Sequence, residues 1–226
     1  MSHGRCATEL EAIHQDILRM GTLVEEAIFD ADRALSGQEL LLAQKVIDGD
    51  DAIDDLEREI EAACVKLLAL RRPLACDLRA VTTVFKVITD LERMGDHAHD
   101  IAAIAQRIGA DRLIKPLIDI PRMSTLARQM VHESLDAFVR RDVALAQKVC
   151  KDDEPIDRLY TELYDELLLF IMQGNDTVRA GQALSLLFAA RALERIADHA
   201  TNIAERVIYL VTGTRVVRDH PSSTEL

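Results

Sequence analysis

Tryptophan is absent from this 226-residue chain, and aromatic residues make up only 4% of it. Sheets fill their pleated faces with aromatic and β-branched side chains, so this scarcity suits closely packed helices better than strands. Nine glycines and five prolines are few, which fits long helices with short connections. The four cysteines, Cys6, Cys64, Cys76 and Cys150, form no C-x-x-C pair. They read as reduced, core-filling residues rather than disulfides or zinc ligands. No apolar run approaches the roughly 20 residues that a membrane span needs. The N-terminal stretch Met1–His14 has no apolar core of the signal-peptide kind, so direct membrane insertion is not expected and a cytoplasmic protein is. Basic residues are also short, 27 against 39 acidic, for a net charge of −12. Such a surface repels nucleic acid and anionic lipid on average. The chain offers neither a nucleophile–base pair nor a phosphate-cradling glycine loop, and no catalysis is expected.

What is present is a 3.6-residue apolar rhythm. In the first segment, Glu9 to about Leu35, it runs through Ile13, Ile17, Met20, Val24, Ile28 and Ala31. Ser36 and Gly37 break it. A second segment spans about Gln38 to Leu70 and is stopped by Pro73. A third spans about Ala75 to Ile108 and is closed by Gly109. A linker with two prolines, Asp111–Pro121, precedes three more segments: about Arg122–Val139, Val143–Met172 and Thr177–Thr212. Gly174, Asn175 and Asp176 form the last turn, with Asp176 as N-cap.

The second three segments repeat the first three. LAQKV occurs at Leu42–Val46 and again at Leu145–Val149, an offset of 103. Met20 matches Met123, Ala34 matches Ala137, Asp50 matches Asp153 and Asp54 matches Asp157 at the same offset. LERMGDHAHDIA at Leu91–Ala102 is echoed by LERIADHATNIA at Leu193–Ala204, an offset of 102. A register held this long implies duplication. The expected fold is therefore all-α, with two tandem three-helix bundles over 5–110 and 116–213 and a frayed tail over 214–226. A single continuous six-helix assembly is the alternative.

The echoed motifs carry the chemistry. Four residues advance a helix by about 400°, so Glu92, Asp96 and Asp100 share one stripe, as do Glu194, Asp198 and Asn202. Like charges at this spacing repel. Asp50 and Asp54, and their copies Asp153 and Asp157, form a second acidic set that would face each stripe across a two-helix groove. Oxygen donors of this kind suit a hard divalent or trivalent cation: magnesium, manganese or iron ahead of zinc. A solvated acidic face is the simpler reading of any one pair; the duplication shifts the balance toward a functional surface. His99 lies nearly in line with Glu92 and could join such a shell, whereas its counterpart is Thr201. His97, His199, Arg93 and Arg195 point off the stripe. Carboxylate-bridged oxidases typically use Glu-x-x-His, but Gly95 and Ala197 stand at the histidine positions. A metal-dependent helical-bundle enzyme and a purely structural helical dimer remain the alternatives in other classes.

Several pieces together resemble the PhoU family, the accessory regulators of bacterial phosphate-specific transport. They are Met20-Gly21, Val46-Ile47 with Asp50 and Ile53-Asp54, PLACDLR at Pro73–Arg79, the two Leu-Glu-Arg motifs, and Tyr209–Gly213. The resemblance covers roughly residues 5–213. It implies two three-helix bundles, commonly as homodimers, and metal bound through the Glu-x-x-x-Asp motifs, sometimes as multinuclear iron clusters. It implies as partners a phosphate ABC transporter, through its ATPase subunit, and a membrane sensor histidine kinase. The implied role is to keep phosphate-starvation signalling off when phosphate is plentiful, from the cytoplasm or peripherally at the inner face of the membrane.

Overall fold

The computed structural model describes the backbone over residues 2–71, 75–173 and 176–214, and the side chains of 8–70, 78–172 and 176–214. The described residues form seven helices in order: α1 (Ser2–Gly37), α2 (Leu40–Arg71), α3 (Ala75–Ile108), α4 (Asp119–Arg140), α5 (Val143–Lys151), α6 (Asp153–Gln173) and α7 (Thr177–Thr212). No strand occurs among the described residues. The expectations for Pro73, for Gly174 and Asn175, and for the tail beyond Thr214 lie outside them, as do the side chains of Cys6 and Cys76.

Each apolar stripe is buried as its spacing predicts. On α1, Ile13, Ile17, Met20, Val24, Ile28 and Ala31 all turn inward. Helices α1, α2 and α3 pack on one another, and α4, α5 and α6 gather around α7. Two three-helix bundles result, the second with its middle helix in two pieces. The bundles also pack along their lengths, α3 against α7 and α1 against α4. Helix α7 packs within its own bundle and against α3 of the other, and its inner faces are rich in small residues: Ala183, Ala189, Ala190, Ala197, Ala200 and Ala204 are all buried. Small side chains let α3 and α7 approach closely, and one continuous hydrophobic core runs through both bundles.

The duplication extends to backbone detail. Gln38 and Arg141, 103 apart, are the two non-glycine residues with positive φ among the described residues, 53° and 55°. In each case the next amide reaches back to the helix: Glu39 N to Ala34 O at 3.0 Å, and Asp142 N to Ala137 O at 3.0 Å. This closure satisfies a carbonyl left over at the helix end. Helix α1 thus runs through Ser36 and Gly37, and the break falls one residue later than expected, at Gln38.

The fifth helix differs from expectation. Val143–Met172 is not continuous but breaks at Asp152 into α5 and α6. Pro155 is the cause: it has no amide to donate to Lys151 O, and its ring crowds that carbonyl. It is tolerated only in a first turn, so a new helix starts two residues before it. The equivalent position in α2 is Ala52, and α2 is unbroken.

Candidate functional site

Helix periodicity turns Glu92 and Asp96 of α3 toward α2, and the first acidic set is assembled there. Asp50 and Asp54 lie across the groove, joined by Glu57, three residues beyond Asp54 on the same face. Glu92 is mostly buried, with 19% of its side chain exposed. Burial chiefly, and then the charge of Asp96, hold its carboxyl above the usual range; Asp54 and Glu57 add to this, and Arg93 opposes it at 3.4 Å. Burial likewise raises Asp50, against the pull of His99, whose Nδ1 lies 3.1 Å from Asp50 Oδ2. Arg93 also reaches Asp96 at 3.1 Å. Gly95 faces this groove: a Cβ there would meet Ile53 Cδ1 at 3.0 Å and Asp50 Oδ1 at 3.4 Å. The small residue keeps α3 close to α2.

The second acidic set lies between α7 and α6. Glu194 is the most enclosed carboxylate of the two stripes, with 12% of its side chain exposed. Burial first, and then Asp198, push its carboxyl up to about 7; Arg191 and Arg195 oppose, and Asp157 adds to the rise. Arg191 binds Glu194 Oε1 at 2.6 Å, while the buried Oε2 has no hydrogen-bond partner. Arg195 reaches Asp198 at 3.4 Å. Asp157 is exposed, and Asp153 is half-buried at the first turn of α6.

Asp100 and Asn202 are not drawn into these sets. Asp100 is exposed, 3.8 Å from His97. Asn202 turns toward α3 and donates to Asp90 Oδ1 at 3.5 Å. Among the described residues, no three His, Cys, Asp or Glu side chains converge on a single point as they stand. The donors nevertheless fit a hard cation chemically: all are carboxylates, the arginines beside them offset their mutual repulsion only in part, and Glu194 Oε2 is an orphaned acceptor. Glu92, Asp96, Asp54 and Asp50 in one half, and Glu194, Asp198, Asp157 and Asp153 in the other, are the side chains that would turn toward an ion.

The two clefts differ in a way that the paired motifs do not reveal. Glu57 corresponds to Tyr160 and Thr89 to Arg191, so the second cleft loses a carboxylate and gains a guanidinium. Thr89 donates to Glu57 at 3.1 Å, whereas Arg191 lies over the Tyr160 ring at 5.5 Å. Glu57 could have been found in the sequence, because 50, 54 and 57 share one helical stripe. Arg191 could not, since its copy is uncharged.

Comparison with known proteins decides the lineage. A family model described as the PhoU domain matches residues 17–105 and again 120–207. This chain belongs to the PhoU family. Two relatives match over nearly their whole length. The phosphate-specific transport system accessory protein PhoU homolog of Aquifex aeolicus is 42% identical over 212 residues, covering 94% of this chain and 95% of the relative. That of Clostridium acetobutylicum is 39% identical over 210 residues, covering 92% and 95%. The crystal structure of PhoU from Pseudomonas aeruginosa superposes with a TM-score of 0.87 at 40% identity, covering 92% of this chain and 99% of that one. Membership in the PhoU family accounts for the all-α architecture, and the double match of the PhoU domain restates the 103-residue register as two equivalent units.

Proposed function

We propose that this PhoU-family chain is a non-enzymatic regulator of phosphate uptake. It couples a phosphate ABC transporter, through the ATPase subunit, to a membrane sensor histidine kinase, and holds starvation signalling off when phosphate is plentiful. The observation that carries this reading is end-to-end similarity, through both domains, to proteins described as accessory to phosphate-specific transport. No helix of the described residues is long and apolar enough to cross a membrane, so the chain would meet both partners at the cytoplasmic face. It would act as a homodimer. The acidic clefts would hold iron, manganese or magnesium, with the carboxylates supplying the ligands and the cation relieving their repulsion. Deletion of the gene in its native cells, with tagged protein purified in parallel from phosphate-replete cultures, tests the reading. Starvation transcription should become constitutive, and the ATPase subunit and the kinase should copurify. Unchanged transcription with neither partner recovered would refute it.

A further inference from the structure

The segment between the bundles is held by side chains rather than by its own hydrogen bonds. Gln38 Nε2 donates to Gly109 O at 2.9 Å and to Asp111 O at 2.7 Å. On the other side Gln182 of α7 accepts from Ile114 N and donates to Arg112 O at 3.3 Å. Lys115 is buried between Glu166 and Asp119. These anchors fix the path of residues 109–115 against the start of α7. Arg179 stands one turn before Gln182 on α7, on the same side. Arg112 and Arg179 are therefore brought to the walls of one half-open cleft of about 680 Å³.

Neither arginine has an acidic partner among the described residues. Glu166 and Asp119 pair with Lys115, and Asp176 caps the amides of Val178 and Arg179 at 2.9 and 3.3 Å. Arg179 rests only beside the Phe170 ring, at 5.9 Å. Both guanidiniums are exposed, on backbone that these anchors hold in place, in a chain of net charge −12. Leu113, Ile114 and Pro116 give the lining an apolar part, and the volume lies within the roughly 300–1,000 Å³ range of small-molecule sites.

We propose that this cleft binds a phosphate-type dianion, either free or carried on a small organic molecule. Guanidinium forks match phosphate oxygens in pairs, which favours that ligand over a single carboxylate. The apolar part of the lining would seat the body of an organic phosphate. The site is separate from the acidic clefts: Arg179 and Glu194 are 15 residues apart on α7, or about 22 Å along the helix. It can therefore stand or fall without them.

The test is isothermal titration of the full chain with inorganic phosphate and with AMP, against sodium chloride at matched ionic strength. Backbone amide shifts then locate the response. Saturable binding is expected, with shifts at Arg112–Lys115 and Val178–Gln182. The Arg112→Ala, Arg179→Ala double variant should bind at least about tenfold more weakly, the loss of a charge-assisted hydrogen bond or more. Its melting temperature should hold, because neither side chain has an ion-pair partner to lose. The Arg112→Lys, Arg179→Lys variant keeps the charge and should fall between the two. Tighter binding of AMP than of phosphate identifies an organic ligand; equal binding identifies the free oxyanion. If neither anion binds above chloride, or the alanine variant binds like the parent, the proposal is wrong.

Discussion

Asp90 of α3 lies 2.9 Å from His199 Nδ1 of α7, across 109 residues of sequence and across the seam between the bundles. Only 7% of Asp90 is exposed. Its other oxygen accepts from Arg206 Nε at 3.2 Å, and Asn202 approaches from the same helix. The copy of Asp90 in the second half is Ala192, so the clasp exists once and makes the seam one-sided. A charge this deep is tolerable only while its partners stay in place.

Removing that charge should loosen the seam. Asp90→Ala leaves Arg206 and His199 without their carboxylate partner and is expected to cost about 2–3 kcal/mol. Urea unfolding at pH 7 measures the loss. Because the seam joins the two units, a second transition should separate from the first as the coupling weakens. A single unshifted transition would mean that apolar packing between α3 and α7 suffices without the clasp.

Cation binding should register as stability. If the acidic clefts take a metal, chelator-treated protein should melt lower than protein with manganese, magnesium or iron. At a hundredfold excess over the dissociation constant the gain is about 2.7 kcal/mol. The first cleft is expected to bind more tightly, since Glu57 and Thr89 stand where the second has Tyr160 and Arg191. Asp96→Ala should therefore remove more of the metal response than Asp198→Ala. Melts that ignore every metal, or variants that respond like the parent, would reduce both stripes to solvated faces.

Three helical glycines should respond differently to alanine. At Gly49 nothing lies within 4 Å of an added Cβ, so Gly49→Ala should stabilise α2 by about 1 kcal/mol through helix propensity alone. At Gly21 the new atom would sit on the side chain of buried Leu135, and overpacking should outweigh propensity, for a net cost of about 1 kcal/mol. Gly95→Ala should be nearly neutral: Ile53 must give by a few tenths of an ångström, and alanine already stands at the duplicate position, Ala197. Thermal melts of the three variants should give opposite signs for Gly49 and Gly21.

The sequence makes the periodic and the repeated legible. Apolar stripes announce six helical segments, and the 102–103 offset pairs the motifs before any geometry is known. What it hides is whatever breaks the repeat. Pro155 splits the fifth helix because one ring removes one amide; the apolar rhythm runs straight through it, and the break shows only when the proline is read as Pro73 is. Asp90 escapes notice because its copy is alanine, so the duplication that highlights Glu92 is silent about it. Asn202 matches Asp100 by position, but a buried carboxylate on the neighbouring bundle claims its amide. That competition depends on how α3 lies against α7, which no spacing within one helix encodes.

Glu194 should make the metal-free protein less stable as pH rises. Its carboxyl is raised from 4.5 to about 7, chiefly by burial. Between those values the folded chain holds a proton that the unfolded chain has released, so folding is favoured at the acid end. That advantage is lost as pH climbs through about 7. The full shift corresponds to about 3 kcal/mol, and solvent reaching the cleft should reduce it to about 2. Glu194→Gln keeps the acceptor for Arg191 but cannot ionise, so it should be more stable than the parent at pH 8 and indistinguishable from it near pH 4. Other carboxylates titrate over the same range, so the quantity to read is the difference between parent and variant in urea melts across pH 4–8. A difference that stays constant with pH would show that folding leaves the Glu194 carboxyl at its ordinary value, with Arg191 offsetting the effect of burial.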